Sequence, residues 1–167
     1  MRDMFSDYYF WILFSQTWVA ISKARQKELT PYNVSEIRAA LLFIIELIGH
    51  DATPAKVSRW LFREPHSISE IVDRMEKQGL VRKVKDLDRR NQVRIELTEK
   101  GQECYKTSLV PESIPKILSV LSEDERKLFI SSLVKLREAA IKYAGMEYEI
   151  PLPPIDGHAS LKIEEPE

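Results

Sequence analysis

Residues 84 to 95, Val-Lys-Asp-Leu-Asp-Arg-Arg-Asn-Gln-Val-Arg-Ile, crowd two aspartates and two arginines into one short loop. A tight turn needs only Gly or Asn, so Asp86, Asp88, Arg89 and Arg90 ask for another reason. One possibility is solvated ion pairs on an exposed loop. The other is that Asp88 holds the loop and orients an arginine by charge-assisted hydrogen bonds, so that a guanidinium projects from the tip. Such a group can enter the narrow, electronegative minor groove of a duplex. Charge distribution bears on the choice. From Lys56 to Arg94 there are eleven Lys and Arg against six Asp and Glu, a net of +5, although the 167-residue chain as a whole carries −1. The rest therefore sums to −6, much of it in the last twenty residues. A basic segment inside an acidic protein focuses an electrostatic field.

The loop needs elements to hold it. "LVRKVK" before it and "VRIEL" after it read as two strands, with Val93, Ile95 and Leu97 on one face and Arg94 and Glu96 on the other. Upstream, Ile68, Ile71, Val72 and Met75 recur at helical spacing, which predicts a helix from Ser67 to Gln78 closed by Gly79. A shorter helix, Ala55 to Leu61, precedes it, with Thr53 as cap and Pro54 at its start, and "FREP" breaks it. Short helix, turn of about four residues, helix and hairpin form the winged helix-turn-helix order.

The flanks are helical too. Residues 4 to about 28 contain no Pro or Gly and are apolar almost all round near their start, at Tyr8, Phe10, Trp11, Ile12, Leu13, Phe14, Trp18 and Val19. A helix of that kind is buried on more than one side, and in a small domain the second side often belongs to another subunit. Val34 to Ile48 is a second helix ended by Gly49. Thr98 caps a fifth, which Pro111 and Pro115 interrupt. Ser122 with Glu125 opens the last helix as a capping box. After Gly145 the chain is acidic and rich in Pro, which predicts an extended or disordered arm.

Other chemistry is thin. A single cysteine, Cys104, excludes an internal disulfide and a multi-Cys zinc site. The three histidines show no ligand spacing. No nucleophile–base pair, phosphate loop or cofactor fingerprint stands out, so the expectation is no enzyme, no metal and no cofactor. "YYFWILF" at 8 to 14 is too short to span a bilayer, which leaves a cytoplasmic protein as the expectation.

The stretches "SISEIVDRMEKQGLVRK", "DRR" and "RIELTEKG" together resemble the MarR family of transcriptional regulators. The motif covers about residues 53 to 101, and the order of flanking helices extends the resemblance from about 5 to 144. The resemblance implies a mainly α fold with a small β-hairpin wing, a winged helix-turn-helix between N- and C-terminal dimerisation helices. Residues 1–33 would form the first dimerisation helix, 34–101 the DNA-binding domain, 102–144 the C-terminal dimerisation helices and 145–167 an acidic, Pro-rich tail. It further implies a homodimer on a double-stranded, pseudo-palindromic operator, with a recognition helix in the major groove and a wing in the minor groove. Repression is the usual outcome.

Carried over position by position, the resemblance assigns DNA contacts to Arg63, His66, Ser67, Ser69 and Arg74. The wing adds Asp88, Arg89 and Arg90. His66 or Ser67 could equally serve as a plain helix cap. Asp73, Glu76 and Lys77 read as surface pairs. Glu70 departs from the basic or neutral residue common at its position; its carboxylate could accept from a cytosine amine or repel phosphate. Many MarR-like proteins also bind small aromatic or lipophilic effectors. Tyr8, Trp11, Phe14, Trp18, Tyr32, Phe43 and Trp60 could line such a pocket, with Trp11, Trp18, Tyr32 and Trp60 as its candidates, although aromatics at helical spacing more often pack a core or a dimer. The alternative function is a winged-helix protein-interaction module without DNA binding, favoured by Glu70 and the acidic tail.

Overall fold

Ile68, Val72 and Met75, the apolar stripe that predicted the recognition helix, are wholly buried, and they meet Leu41, Leu42, Val57 and Ile95 in one continuous core. The elements around that core run in the order read from the sequence. A computed structural model describes residues 4–85, 93–110 and 112–146. The wing tip with Asp88, Arg89 and Arg90, and the tail beyond residue 146, lie outside the described residues.

Helix α1 spans Met4–Leu29. Its first half is exposed, and from Ile21 onward it docks on the domain, ending at the fully buried Leu29. After a 3-10 turn at Thr30–Tyr32, Asn33 adopts a left-handed φ of 56° that redirects the chain into α2, Glu36–Ile48. This helix is central and buries Ala39, Leu41, Leu42, Ile44 and Ile45. Gly49, at φ 64°, closes it.

The Thr53 side chain accepts from the Lys56 N–H at 3.2 Å and starts α3, Pro54–Trp60. Helix α4 covers Pro65–Lys77, two residues earlier than Ser67. The reason is Pro65, whose fixed φ and missing N–H suit the first helical position. Strands β1, Val81–Lys85, and β2, Val93–Leu97, pair antiparallel, with Val81 opposite Leu97 and Lys85 opposite Val93. Only Ile95 of β2 is fully buried, and its N–H donates to the Ala52 carbonyl at 2.8 Å, which ties the hairpin to the loop before α3.

Helix α5 spans Glu99–Leu109, capped by Thr98. A short helix, α6, follows at Ser113–Leu118 and includes Pro115. Pro115 therefore does not break helical structure there. At the third helical residue its missing N–H would have had no intrahelical acceptor. The predicted capping box of Ser122 and Glu125 is present and opens α7, Glu123–Tyr143. None of the residues of α7 is buried.

Candidate nucleic-acid interface

Four residues, Leu61 to Glu64, join α3 to α4. Phe62 is the pivot, with a left-handed φ of 51°. The Phe62 N–H donates to the Arg59 carbonyl at 3.3 Å and the Arg63 N–H to the Ser58 carbonyl at 3.0 Å, closing the end of α3. An aromatic residue is strained in that region. Its ring lies 5.2 Å below the Arg137 guanidinium of α7, a cation–π contact. The last long helix thus touches the turn that aims α4.

Glu64 precedes α4 without a side-chain cap. Neither His66 nor Ser67 is the cap; both sit in the first helical turn. His66 is 86% exposed, and its Nε2 lies 3.1 Å from Glu70 Oε1. The Ser69 hydroxyl donates back to the Pro65 carbonyl at 2.9 Å. Arg74 Nε donates to the Glu70 carbonyl at 3.3 Å, which folds its side chain along the helix surface. His66, Glu70 and Arg74 stand four residues apart and share one stripe, opposite the buried Ile68, Val72 and Met75. Arg63 is exposed in the turn that leads into the helix. Arg63, His66, Ser67 and Ser69 of the sequence-derived set therefore gather on and beside the N-terminal half of α4, and Arg74 stands in its last turn on the stripe of His66 and Glu70. Free N–H groups at such a helix end attract phosphate.

A residue that the sequence analysis did not single out joins helix to wing. Lys83 of β1 reaches back to α4, where its ammonium contacts Asp73 and lies 3.4 Å from Glu76. Its backbone N–H also donates to Glu76 Oε1 at 3.0 Å. The hydrogen bond from Lys83 holds the Asp73 carboxyl below the usual aspartate range, and the same bond to Asp73 raises the Lys83 ammonium. Asp73 and Glu76 do form surface pairs, with a wing lysine rather than within the helix. Across the hairpin, Arg82 donates through Nε and Nη2 to Glu96 Oε2 at 2.9 and 2.8 Å. Arg94 Nη1 donates to the His50 carbonyl at 3.3 Å.

The "LTEKG" motif explains how the wing meets α5. Thr98 accepts from the Gly101 N–H at 3.0 Å and donates to the Gly79 carbonyl at 2.5 Å. The Thr98 N–H donates to the Leu80 carbonyl at 3.1 Å. A Cβ on Gly101 would lie 1.9 Å from that same Leu80 oxygen. The glycine is required by close approach of backbone to backbone.

A separate cavity of about 280 Å³ opens between α1, α2, the α3–α4 turn, α5 and α6. Ala39, Ala40, Phe43, Ile44, Leu61, Leu109 and Ile114 give it apolar walls; Arg25, Glu36 and Ser108 are its polar lining. Arg25 Nη2 donates to the Ser108 carbonyl at 2.8 Å, and Glu28 accepts from the Ser113 N–H at 3.0 Å, so α1 holds both ends of the α5–α6 junction. Of the aromatics named from the sequence, Phe43 lines this cavity. Trp11, Trp18, Tyr32 and Trp60 do not. Trp11 and Trp18 lie on the exposed stretch of α1 before Ile21; Tyr32 is on the exposed 3-10 turn; Trp60 packs on the main core. Cys104 is half-buried between the two core clusters, and burial pushes its thiol up, away from the reactive thiolate.

Residues 34–101 match the family model of a winged helix DNA-binding domain. With the helix-turn-helix and the hairpin in place, the chain contains a winged helix domain of the DNA-binding type. Over most of its length it is similar to solved structures of bacterial regulators. The organohalide-sensing transcriptional regulator RdhR, in its 2,4-dichlorophenol-bound form, shares 29% identity, covers 92% of this chain and 94% of its own, and superposes with a TM-score of 0.78. A mutant MarR from E. coli complexed with operator DNA shares 18%, over 80% of this chain and 98% of its own, at a TM-score of 0.72. MepR from S. aureus, in a DNA complex, shares 19%, over 77% and 96%, at 0.69. No curated protein sequence matches the chain. The chain carries a winged helix domain and shares the fold of MarR and MepR over most of its length. Among the described residues no helix is long and apolar enough to cross a membrane.

Proposed function

We propose that the protein is a sequence-specific double-stranded DNA-binding regulator of transcription, a cytoplasmic homodimer that represses by occupying a pseudo-palindromic operator. The observation that carries this reading is the exposed stripe of α4, braced to the wing by Lys83 on a domain of DNA-binding type. Homodimerisation is supported by α1, where Trp11 and Trp18 are each more than half exposed in the single chain. Two copies would set their recognition helices about 34 Å apart, one helical turn of duplex. Arg63, His66, Ser67, Ser69 and Arg74 would meet one major groove, and Arg89 or Arg90, oriented by Asp88, the adjacent minor groove. The apolar cavity supports relief by a small aromatic or lipophilic effector, since movement of Leu61 would shift the turn before α4.

The test is binding to the DNA upstream of the protein's own gene at two salt concentrations. Expected is protection of a palindrome and a log–log salt slope of about −0.9 for each phosphate contacted. Flat, sequence-blind binding would replace this reading with a protein-interaction module. The double variant Arg89→Ala/Arg90→Ala should weaken operator binding strongly and leave the dimer intact. Wild-type affinity in that variant would remove the wing from the interface.

A further inference from the structure

Helix α4 carries three carboxylates in different circumstances. Asp73 and Glu76 are engaged by Lys83 of the wing. Glu70 points away from the hairpin. It lies in the middle of the stripe formed by His66 and Arg74, with its side chain 59% exposed and His66 Nε2 at 3.1 Å. A carboxylate at the centre of a surface that must approach phosphates repels them, so its presence there calls for a positive role. In the major groove such a role exists. A carboxylate is acceptor-only. The guanine edge offers N7 and O6 and the thymine edge O4, all acceptors; adenine sets an N7 acceptor beside its N6 amine; cytosine offers its N4 amine without a neighbouring acceptor. The base edge that a carboxylate matches best is cytosine. With Nε2–H of His66 on Oε1, the other carboxylate oxygen is left to accept.

We infer that Glu70 is a specificity-determining residue that accepts from the N4 amine of one cytosine in each half-site, with His66 as the positioning residue that holds the carboxylate. The inference rests on the DNA-binding reading and goes beyond it by naming the base. Because Glu70 is exposed and does not contribute to the core, its variants keep the fold. It also explains the departure of this position from a basic or neutral residue: affinity for phosphate is given up in exchange for selection of cytosine.

Selection from a randomised duplex pool by the full-length protein tests it. Wild type should fix a C·G pair at one position of each half-site, with about tenfold preference over T·A. Glu70→Gln should move that position toward A·T, because a carboxamide both donates to N7 and accepts from N6. Glu70→Ala should erase the preference there and leave the other positions unchanged. His66→Ala should weaken the cytosine preference without transferring it to another base. If wild type and both Glu70 variants select the same motif, the inference is overturned while DNA recognition stands. If wild type selects no motif, the DNA-binding reading falls and takes the inference with it.

Discussion

Ile68, Val72 and Met75 of α4 are wholly withdrawn from water, whereas Trp11 and Trp18 of α1, which are larger, are each more than 60% exposed. The same contrast divides the molecule. Between Val34 and Tyr105 each element turns an apolar face inward and closes on its own chain. Among the described residues, the outer part of α1 leaves its apolar side chains exposed, and α7 buries none of its residues although Arg137 lies over Phe62. Phe10 and Phe14 stack on each other at 6.4 Å and Trp11 on Phe14 at 6.3 Å, along one helix facing outward. Leu128, Phe129 and Leu136 of α7 are likewise open. Large contiguous apolar surfaces of that kind mark association sites. The middle of the chain buries its apolar faces on itself, while α1 and α7 leave theirs exposed in the single chain, the surface that the proposed dimer would cover.

That contrast can be broken most forcefully from the inside. Gly101→Ala places a methyl group against the Leu80 carbonyl, and with no flexible neighbour to yield it should destabilise the domain by roughly 3 kcal/mol or more, read by denaturant unfolding at fixed protein concentration. A loss under about 0.5 kcal/mol would contradict the close approach. Ile68→Ala comes next, at about 2–4 kcal/mol for a fully buried branched side chain. The paired change Trp11→Ala/Trp18→Ala should behave oppositely. It should leave the winged domain folded and raise the dimer dissociation constant by at least about tenfold, measured by sedimentation. Unchanged association would mean that α1 is covered by something other than a second copy.

Smaller effects sharpen the border between the two regions. Arg137→Ala removes the guanidinium over Phe62 and should lower stability by about 0.5–1 kcal/mol, with a few-fold loss of operator affinity in gel-shift titration. A stability loss with no change in affinity would make the contact merely structural. Smallest is the acid response of the wing brace. Asp73 is held low by Lys83, so its contribution is present above the ordinary aspartate range and disappears as pH falls through its lowered folded value. In an NMR titration, Lys83→Ala should raise the Asp73 midpoint toward the ordinary aspartate range. A midpoint that does not move would place the cause elsewhere.

Local signals were the most legible. Thr53, Thr98 and the Ser122–Glu125 box each act within four residues of their own position, and Gly49 and Gly79 take the positive φ that ends their helices. The order of helices and hairpin followed from apolar spacing, since the faces that repeat are those the core takes up. What escaped depends on distant partners. Nothing in "VRKVK" says that Lys83 will bridge Asp73 and Glu76 ten and seven residues earlier, nor that Phe62 will meet an arginine 75 positions later. The aromatics of α1 illustrate the same limit. Their spacing reports a surface that wants covering, and it is silent on which chain covers it. The cavity consequently assembles from small side chains such as Ala39 and Ala40, together with Leu61, which carry no individual mark in the sequence. For α4 the stripe was readable, and its electrostatics were not, because the fate of each carboxylate is decided by the strand that folds back on it.

The Lys83 bridge also limits how the two halves of the reading head can adapt. Lys83 ties the hairpin to α4 at two carboxylates, so a shift of either element disturbs its contact with the other. In the proposed dimer, two such pieces would differ chiefly in separation and tilt. A base pair inserted at the centre of the proposed operator would then be met by spreading the pair, whereas one inserted inside a half-site would strain the Lys83 contacts.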